Sequence, residues 1–249
     1  MIVCVGLATR DTIYRVPRHP EPDGRVVATE RAVAGGGPAA TAAVAIARLG
    51  VATRFVGVID GDLEGVEVVR MPGRMVESTI LAGDGTRAIV TEEPERFDAP
   101  PEALEGADWV HVDHVGYAAL QPSNRLQLSV DGGNAIDDLD LDKVDLYVPT
   151  EATDDGRRAR ITVVTRGEQG CVLYAGGDAI EIPGYDGVEV VSTLGAGDVF
   201  HGALLACLVR GLPLLDALVR ANACAALSCE ALDGRSAIPS WDELEEALA

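Results

Sequence analysis

The residues Ser192-Thr193-Leu194-Gly195-Ala196-Gly197-Asp198 carry the strongest chemical signal in the chain. They lie between an apolar run, Val188–Val191, and a long apolar helical pattern, Val199–Arg210. Two glycines around one alanine let the backbone come close to a ligand at a helix start. The unpaired N–H groups there, with the helix dipole, favour negative charge. An aspartate in that place can simply offset the dipole. It can also take the proton from an attacking hydroxyl while the N–H groups hold charge that develops on a phosphoryl group. The glycines beside Asp198 favour the second reading.

Other segments share the same character. Gly35-Gly36-Gly37-Pro38-Ala39-Ala40-Thr41 leads into Ala42–Leu49 and Gly50. Gly57-Val58-Ile59-Asp60-Gly61-Asp62 with Gly65, and Thr165-Arg166-Gly167-Glu168-Gln169-Gly170, follow in order. The 192–198 segment resembles the second signature of the ribokinase-like (PfkB) sugar kinases, Asp-Thr-x-Gly-Ala-Gly-Asp, with Ser192 in place of the first aspartate. The 35–50 segment resembles that family's N-terminal signature. A single glycine-rich match is weak evidence, whereas four in order over nearly the whole chain are strong.

The resemblance implies roles for individual residues. Asp198 would be the general base, with Gly195, Ala196 and Gly197 forming the anion hole. Asp11, Gly36, Gly37 and Thr41 would hold the sugar; Thr41 stands where many relatives carry asparagine. Thr165, Gly167, Gly170, Thr193 and Asn222 would lie along ATP. Mg²⁺ is expected mainly through the ATP phosphates, and the residues that hold it are unknown. The family's Asn-x-x-Glu is replaced by Thr150-Glu151-Ala152-Thr153. Ser192 puts activation by a monovalent cation in question. Pro38 stands where some relatives have lysine, which leans toward a neutral acceptor. The context of Leu194 and Val199-Phe200-His201-Gly202 leans toward a ketohexokinase or fructokinase-like member. Two rivals stand beside this: a nucleoside kinase of the same fold, and a sugar- or nucleotide-binding homologue without catalysis.

Composition limits the alternatives. The chain has 249 residues, 47% of them hydrophobic, and a net charge of −20. Lys143 is the only lysine. Nucleic-acid binding is excluded, because it requires a basic face. No apolar run approaches a membrane span. The N-terminus runs directly into a strand pattern, so no secretory leader is expected. Cys4, Cys171, Cys207, Cys224 and Cys229 sit in apolar runs without metal-like spacing, which fits free thiols in a reducing cytoplasm. A dense acidic coat suits a high-salt interior, and drift from lysine to arginine explains the basic side chains equally well. His111, His114 and His201 form no convincing metal spacing; His201 reads as a core or near-site residue and His114 as a weak sugar contact.

These groups require a scaffold. Ile2–Gly6, Arg54–Ile59, Trp109–Val112, Leu126–Val130, Val144–Val148 and Ile161–Thr165 read as strands, and Ala39–Leu49, Val199–Arg210 and Leu214–Leu232 as helices. Ser240-Trp241-Asp242-Glu243 reads as a capping box. Gly83-Asp84-Gly85 and Gly176-Gly177 read as hairpin turns. Strands alternating with helices predict a three-layer α/β/α sandwich over 1–249. Arg25–Glu30 and Glu77–Thr91 lack helical partners, so lid strands are expected in inserts at about 12–34 and 66–93. The resemblance implies that the lid covers the sugar, and its open edges suggest a homodimer. The connections after Gly65 and Glu151 are shorter than a parallel crossover usually needs. That predicts either lost crossover helices or, as the preferred reading, segments missing from the chain.

Overall fold

Ile2–Val5 (β1) is four apolar residues buried on both faces, which suits only a central parallel strand. A computed structural model describes residues 1–83, 85–120 and 126–249. In chain order β1 is followed by β2 (Thr9–Arg15), β3 (Glu30–Gly36), α1 (Pro38–Arg48), β4 (Thr53–Gly57), β5 (Glu67–Arg70), β6 (Val76–Gly83) and β7 (Thr86–Thr91). Then come β8 (Trp109–Val112), α2 (His114–Ala119), β9 (Gln127–Gly132), β10 (Leu146–Pro149), β11 (Ile161–Thr165), β12 (Cys171–Ala175) and β13 (Asp178–Ile182). The chain ends in α3 (Ala196–Val209), α4 (Leu214–Ser228) and α5 (Trp241–Ala247).

Nine strands form the main sheet in the order β13-β12-β11-β10-β9-β8-β1-β4-β5. It is parallel from β11 to β5, with β12 and β13 added antiparallel as a hairpin. One face carries α1, α3 and α4 over the larger core, which includes Ile46, Phe55, Leu204 and Leu218. The other face is covered by α2 and the 3₁₀ turns at Pro101–Leu104 and Leu141–Lys143, over Val5, Val110, Val112 and Val130. The result is the predicted α/β/α layering, with one layer thin.

Two of the parallel connections are short, as the sequence predicts. β4 reaches its parallel neighbour β5 through a loop closed by a Leu63–Val66 bridge. β10 reaches β11 through a turn in which Thr150 bridges to Thr165. Both connections are made without a helix. The first part of the insert expected at about 66–93 belongs to the main sheet: 67–70 pairs in register with 54–57 of β4.

A second sheet has the order β3-β2-β6-β7. Its inner face presents Ile13, Ile80 and Ala82 to Leu232, Val191 and Leu194. This sheet therefore packs over the segments that flank α3 and follow α4. The strand expected at Arg25–Glu30 is absent: pairing begins at Glu30 and runs to Gly36. Residues 25–29 are mostly exposed, whereas Ala34 and the glycines fit the narrow ladder beside Asp11. The 83–85 hairpin joins β6 to β7, and its Asp84 lies outside the described residues.

Candidate active site

The start of α3 is built by glycine. Gly195 is its N-cap, in the left-handed region at φ 76°, and a Cβ there would lie 3.0 Å from the Gly234 backbone. Asp198 sits in the first turn, partly open to solvent. Withdrawal from water pushes its pKa well above the usual carboxylate range, and the charges of Asp131 and Asp113 add to this. Arg87 and Arg235 oppose the shift. A carboxylate held this way is a better proton acceptor than an exposed one.

α3 is tied to the acceptor-side residues through α1. Gly202 has no side chain where a Cβ would meet the Ala42 carbonyl oxygen at 2.5 Å and Ala45 Cβ at 2.9 Å. This close crossing sets the start of α1 beside α3. α1 opens at Gly37, φ 90°, with Pro38 at its first position, where a missing N–H costs nothing. Thr41 is buried one turn on.

Asp11 is on the inward face of β2 and almost fully buried. Burial raises its pKa against the hydrogen bonds of Thr9 and Ser78 and the charge of Arg235. Its buried Oδ1 has no hydrogen-bond partner among the described residues. Gly36 lies against it, and a methyl at Gly36 would overlap Asp11 Oδ2. Asp11, Gly36, Gly37 and Thr41 are thus brought together, with an open acceptor at Asp11.

Asp113 was not anticipated, and it fastens this region. It caps α2 and is fully buried. Its Oδ1 accepts from Val115 N–H and Gly116 N–H, both at 2.9 Å, and its Oδ2 from Leu7 N–H at 2.8 Å and Ala39 N–H at 3.2 Å. One carboxylate therefore joins the ends of β1 and β8 to the starts of α1 and α2. Gly6 leaves room for it, since any Cβ there would overlap the carboxylate.

A second unanticipated aspartate, Asp131, ends β9 and is buried. Ligand atoms of Asp131, Asp198 and His201 all lie within 4.8 Å of one another. His201 Nε2 is 3.2 Å from the Val148 carbonyl oxygen, to which it can only donate. Its Nδ1 lies 3.7 Å from Asp131 Oδ2. His201 is thus a near-site residue. His111 is fully buried, bonds Ser129 Oγ at 3.1 Å, and is kept neutral by burial and by His201.

The nucleotide-side expectations divide into two places. Thr193 lies at the α3 turn, where its Oγ1 accepts from Arg87 Nη1 at 3.1 Å. Thr165 ends β11. Gly167 and Gly170 both have positive φ, at 58° and 86°, in the turn that follows. A Cβ on Gly170 would overlap the Ile182 carbonyl oxygen. Asn222 is buried in α4 and donates from Nδ2 to the Pro183 carbonyl at 2.9 Å. Its amide N–H therefore pins the chain after β13. Thr150 and Thr153 close on each other, Oγ1 to Oγ1 at 3.0 Å, and Glu151 is exposed. Arg87, Asp131 and Arg235 were missed because each lies far along the chain from the motif it touches; only the strand-end position of Asp131 was a usable signal.

The chain matches the pattern of pfkB family carbohydrate kinases over residues 1–71 and 150–241. It is 25% identical to the ATP-dependent ribose-1-phosphate kinase of Halopiger xanaduensis, covering 100% of this chain and 98% of that protein. It is also 25% identical to the ribokinase of Bacillus subtilis, covering 100% of this chain and 99% of that one. Among solved structures, the ribokinase of Thermotoga maritima superposes with a TM-score of 0.79 at 21% identity, over 100% of this chain and 99% of that chain. Both curated alignments extend over 291 positions, more than the 249 residues present.

Proposed function

Because the chain belongs to the pfkB family of carbohydrate kinases and is an ATP-dependent sugar kinase, we propose that it phosphorylates a hydroxyl of a ribose-type sugar. The single observation behind this reading is the placement of Asp198, in the first turn of α3 at the mouth of the Gly195–Gly197 turn. The acceptor is held by Asp11 and the Gly36–Gly37 turn, under the small sheet. Asp198 takes the proton as the hydroxyl oxygen attacks the γ-phosphorus and the bond from that phosphorus to the bridging oxygen breaks, releasing ADP. Gly195, Ala196 and Gly197 offer backbone N–H groups to the transferring phosphoryl group. ATP extends from that turn toward Thr165, Gly167 and Gly170. The full-length relatives named above act on ribose or its phosphate, so their names support ribose over the ketohexose expected from the α3 sequence.

Mg²⁺ is the metal such a reaction uses. The buried carboxylate of Asp131 and the nearby oxygens of Asp198 fit it as hard oxygen donors. When bound, the ion neutralises phosphate charge. The residues' own part is to position the acceptor and move its proton, and the small sheet excludes water from them. The fully exposed edge strand β7 supports a homodimer formed through that sheet.

The test is ADP release from ATP and Mg²⁺ across ribose, ribose phosphates, ketohexoses and nucleosides. Release should depend on the acceptor and disappear in Asp198→Asn. Acceptor-dependent release that persists in that variant would remove Asp198 from the role of base.

A further inference from the structure

The segment between α4 and α5 contains a group for which the acceptor reading has no use. Arg235 reaches back across the site. Its Nε donates to Thr41 Oγ1 at 3.1 Å, and its Nη2 donates to the Gly36 carbonyl at 2.6 Å. Two edges of the guanidinium are therefore locked against the residues that open α1. The remaining nitrogen, Nη1, donates to no protein atom among the described residues. It lies 2.6 Å from where a Cβ on Gly35 would sit, so the bare glycine is what makes room for it.

Arg235 lines a cavity of about 190 Å³ with Thr9, Arg10, Gly35, Gly36 and Met75. Among the described residues, no carboxylate is within ion-pair distance of Arg235. The aspartate that also lines the cavity, Asp62, is held by Arg70. Asp11, Asp198 and Asp233 act on Arg235 only at longer range, and burial pulls its pKa down to about 10. A guanidinium largely withdrawn from water, with one face open to a cavity and no direct partner, is completed by an anion. The positive charge behind its one unused nitrogen suits a phosphate oxygen better than a neutral hydroxyl.

We propose that Arg235 makes this site specific for an acceptor that already carries a phosphate ester. The ester sits in the cavity against Nη1, and the free hydroxyl of the same sugar points to Asp198. The proposal rests on the kinase reading above. It reverses the lean toward a neutral sugar drawn from Pro38: the cation is supplied from 199 residues along the chain from the Gly36 carbonyl it touches.

The experiment compares kcat/KM for ribose, ribose 1-phosphate and ribose 5-phosphate in the wild type, Arg235→Met and Arg235→Lys. The wild type should prefer a phosphorylated sugar. The ratio of phosphorylated to neutral kcat/KM should fall about 10- to 100-fold in Arg235→Met, the loss of one charged hydrogen bond. Arg235→Lys should recover part of it. A wild-type preference for ribose overturns the proposal. So does an equal loss on all acceptors, which marks Arg235 as balancing the charges of Asp11 and Asp198. If no acceptor is phosphorylated, the kinase reading fails separately. Calorimetric binding of the two ribose phosphates then decides: binding weakened in Arg235→Met supports the proposal, and equal binding overturns it.

Discussion

Asp113→Asn should loosen the acceptor side of the site. The carboxylate accepts four backbone N–H groups, two on each oxygen. An amide has one oxygen, so it can serve either the Leu7 and Ala39 pair or the Val115 and Gly116 pair. Its NH₂ then faces the other two donors. Losing two bonds to a charged acceptor costs about 3–6 kcal/mol. Removing a fully buried charge returns part of that, leaving a net loss of about 2–4 kcal/mol. Urea unfolding at fixed KCl measures it directly. Leu7 and Ala39 flank the acceptor turn, so the acceptor KM should rise while the ATP KM stays near the wild-type value. A stability change below about 0.5 kcal/mol, the scatter of ordinary surface substitutions, would refute the claim that this carboxylate joins the elements.

The raised pKa of Asp198 makes kcat/KM climb with pH toward neutrality, because the base acts as a carboxylate; a flat profile from acid to neutral pH would count against it. The same shift destabilises the fold: a carboxyl whose folded pKa is raised contributes stability below its unfolded value and loses it as pH rises through the folded one. Asp198→Asn should therefore be more stable than the wild type at neutral pH and equal to it near pH ~4, read by thermal unfolding. Gly36→Ala places a methyl 2.7 Å from Thr9 Oγ1 and into Asp11; the acceptor KM should rise by about tenfold or more with the ATP KM unmoved, and an unchanged acceptor KM would detach Asp11 from acceptor binding. With a net charge of −20, the melting temperature should rise between about 0.1 and 2 M KCl, as screening shortens from about 10 Å to below 3 Å. Indifference to salt would favour simple drift from lysine to arginine.

Where sequence reading succeeded, local chemistry and structure coincide. Ile2–Val5 has no polar residue and sits mid-sheet. Gly195 needs a positive φ, and that need is written in its type. Ser240 and Glu243 make the capping box their spacing announces. It failed where pairing partners decide. Arg25–Thr29 alternates weakly and meets β2 only through Thr29, whose N–H donates to the Arg15 carbonyl, while Ala34-Gly35-Gly36, which looks like a turn, is held in a ladder by β2. The short connection after Gly65 was legible in the sequence, and the register of β5 with β4 places its strand in the main sheet. The expectation of missing segments agrees with alignments that run over 291 positions against the 249 residues here. The bridge at Leu63–Val66 shows how a tighter loop closes a short connection.

The site divides along the same line. Asp11, Gly36, Thr41 and Asp198 stand in recognisable local patterns, so their neighbourhood could be read before any fold was known. Asp113, Asp131 and Arg235 act on partners distant in the chain, and their types alone say nothing of where they point. Asp113 lies 106 residues from Leu7, and Arg235 lies 194 residues from Thr41. Yet the reach of Arg235 depends on a local fact that was visible from the start: a run of glycines at 35–37. That run was read as backbone approaching a sugar. In the fold each member has its own task. Gly37 opens the helix, Gly36 makes room for Asp11, and Gly35 makes room for a guanidinium. A glycine run at such a site is therefore a statement about which side chains must enter from elsewhere. In this chain, one that enters is a cation beside the acceptor pocket.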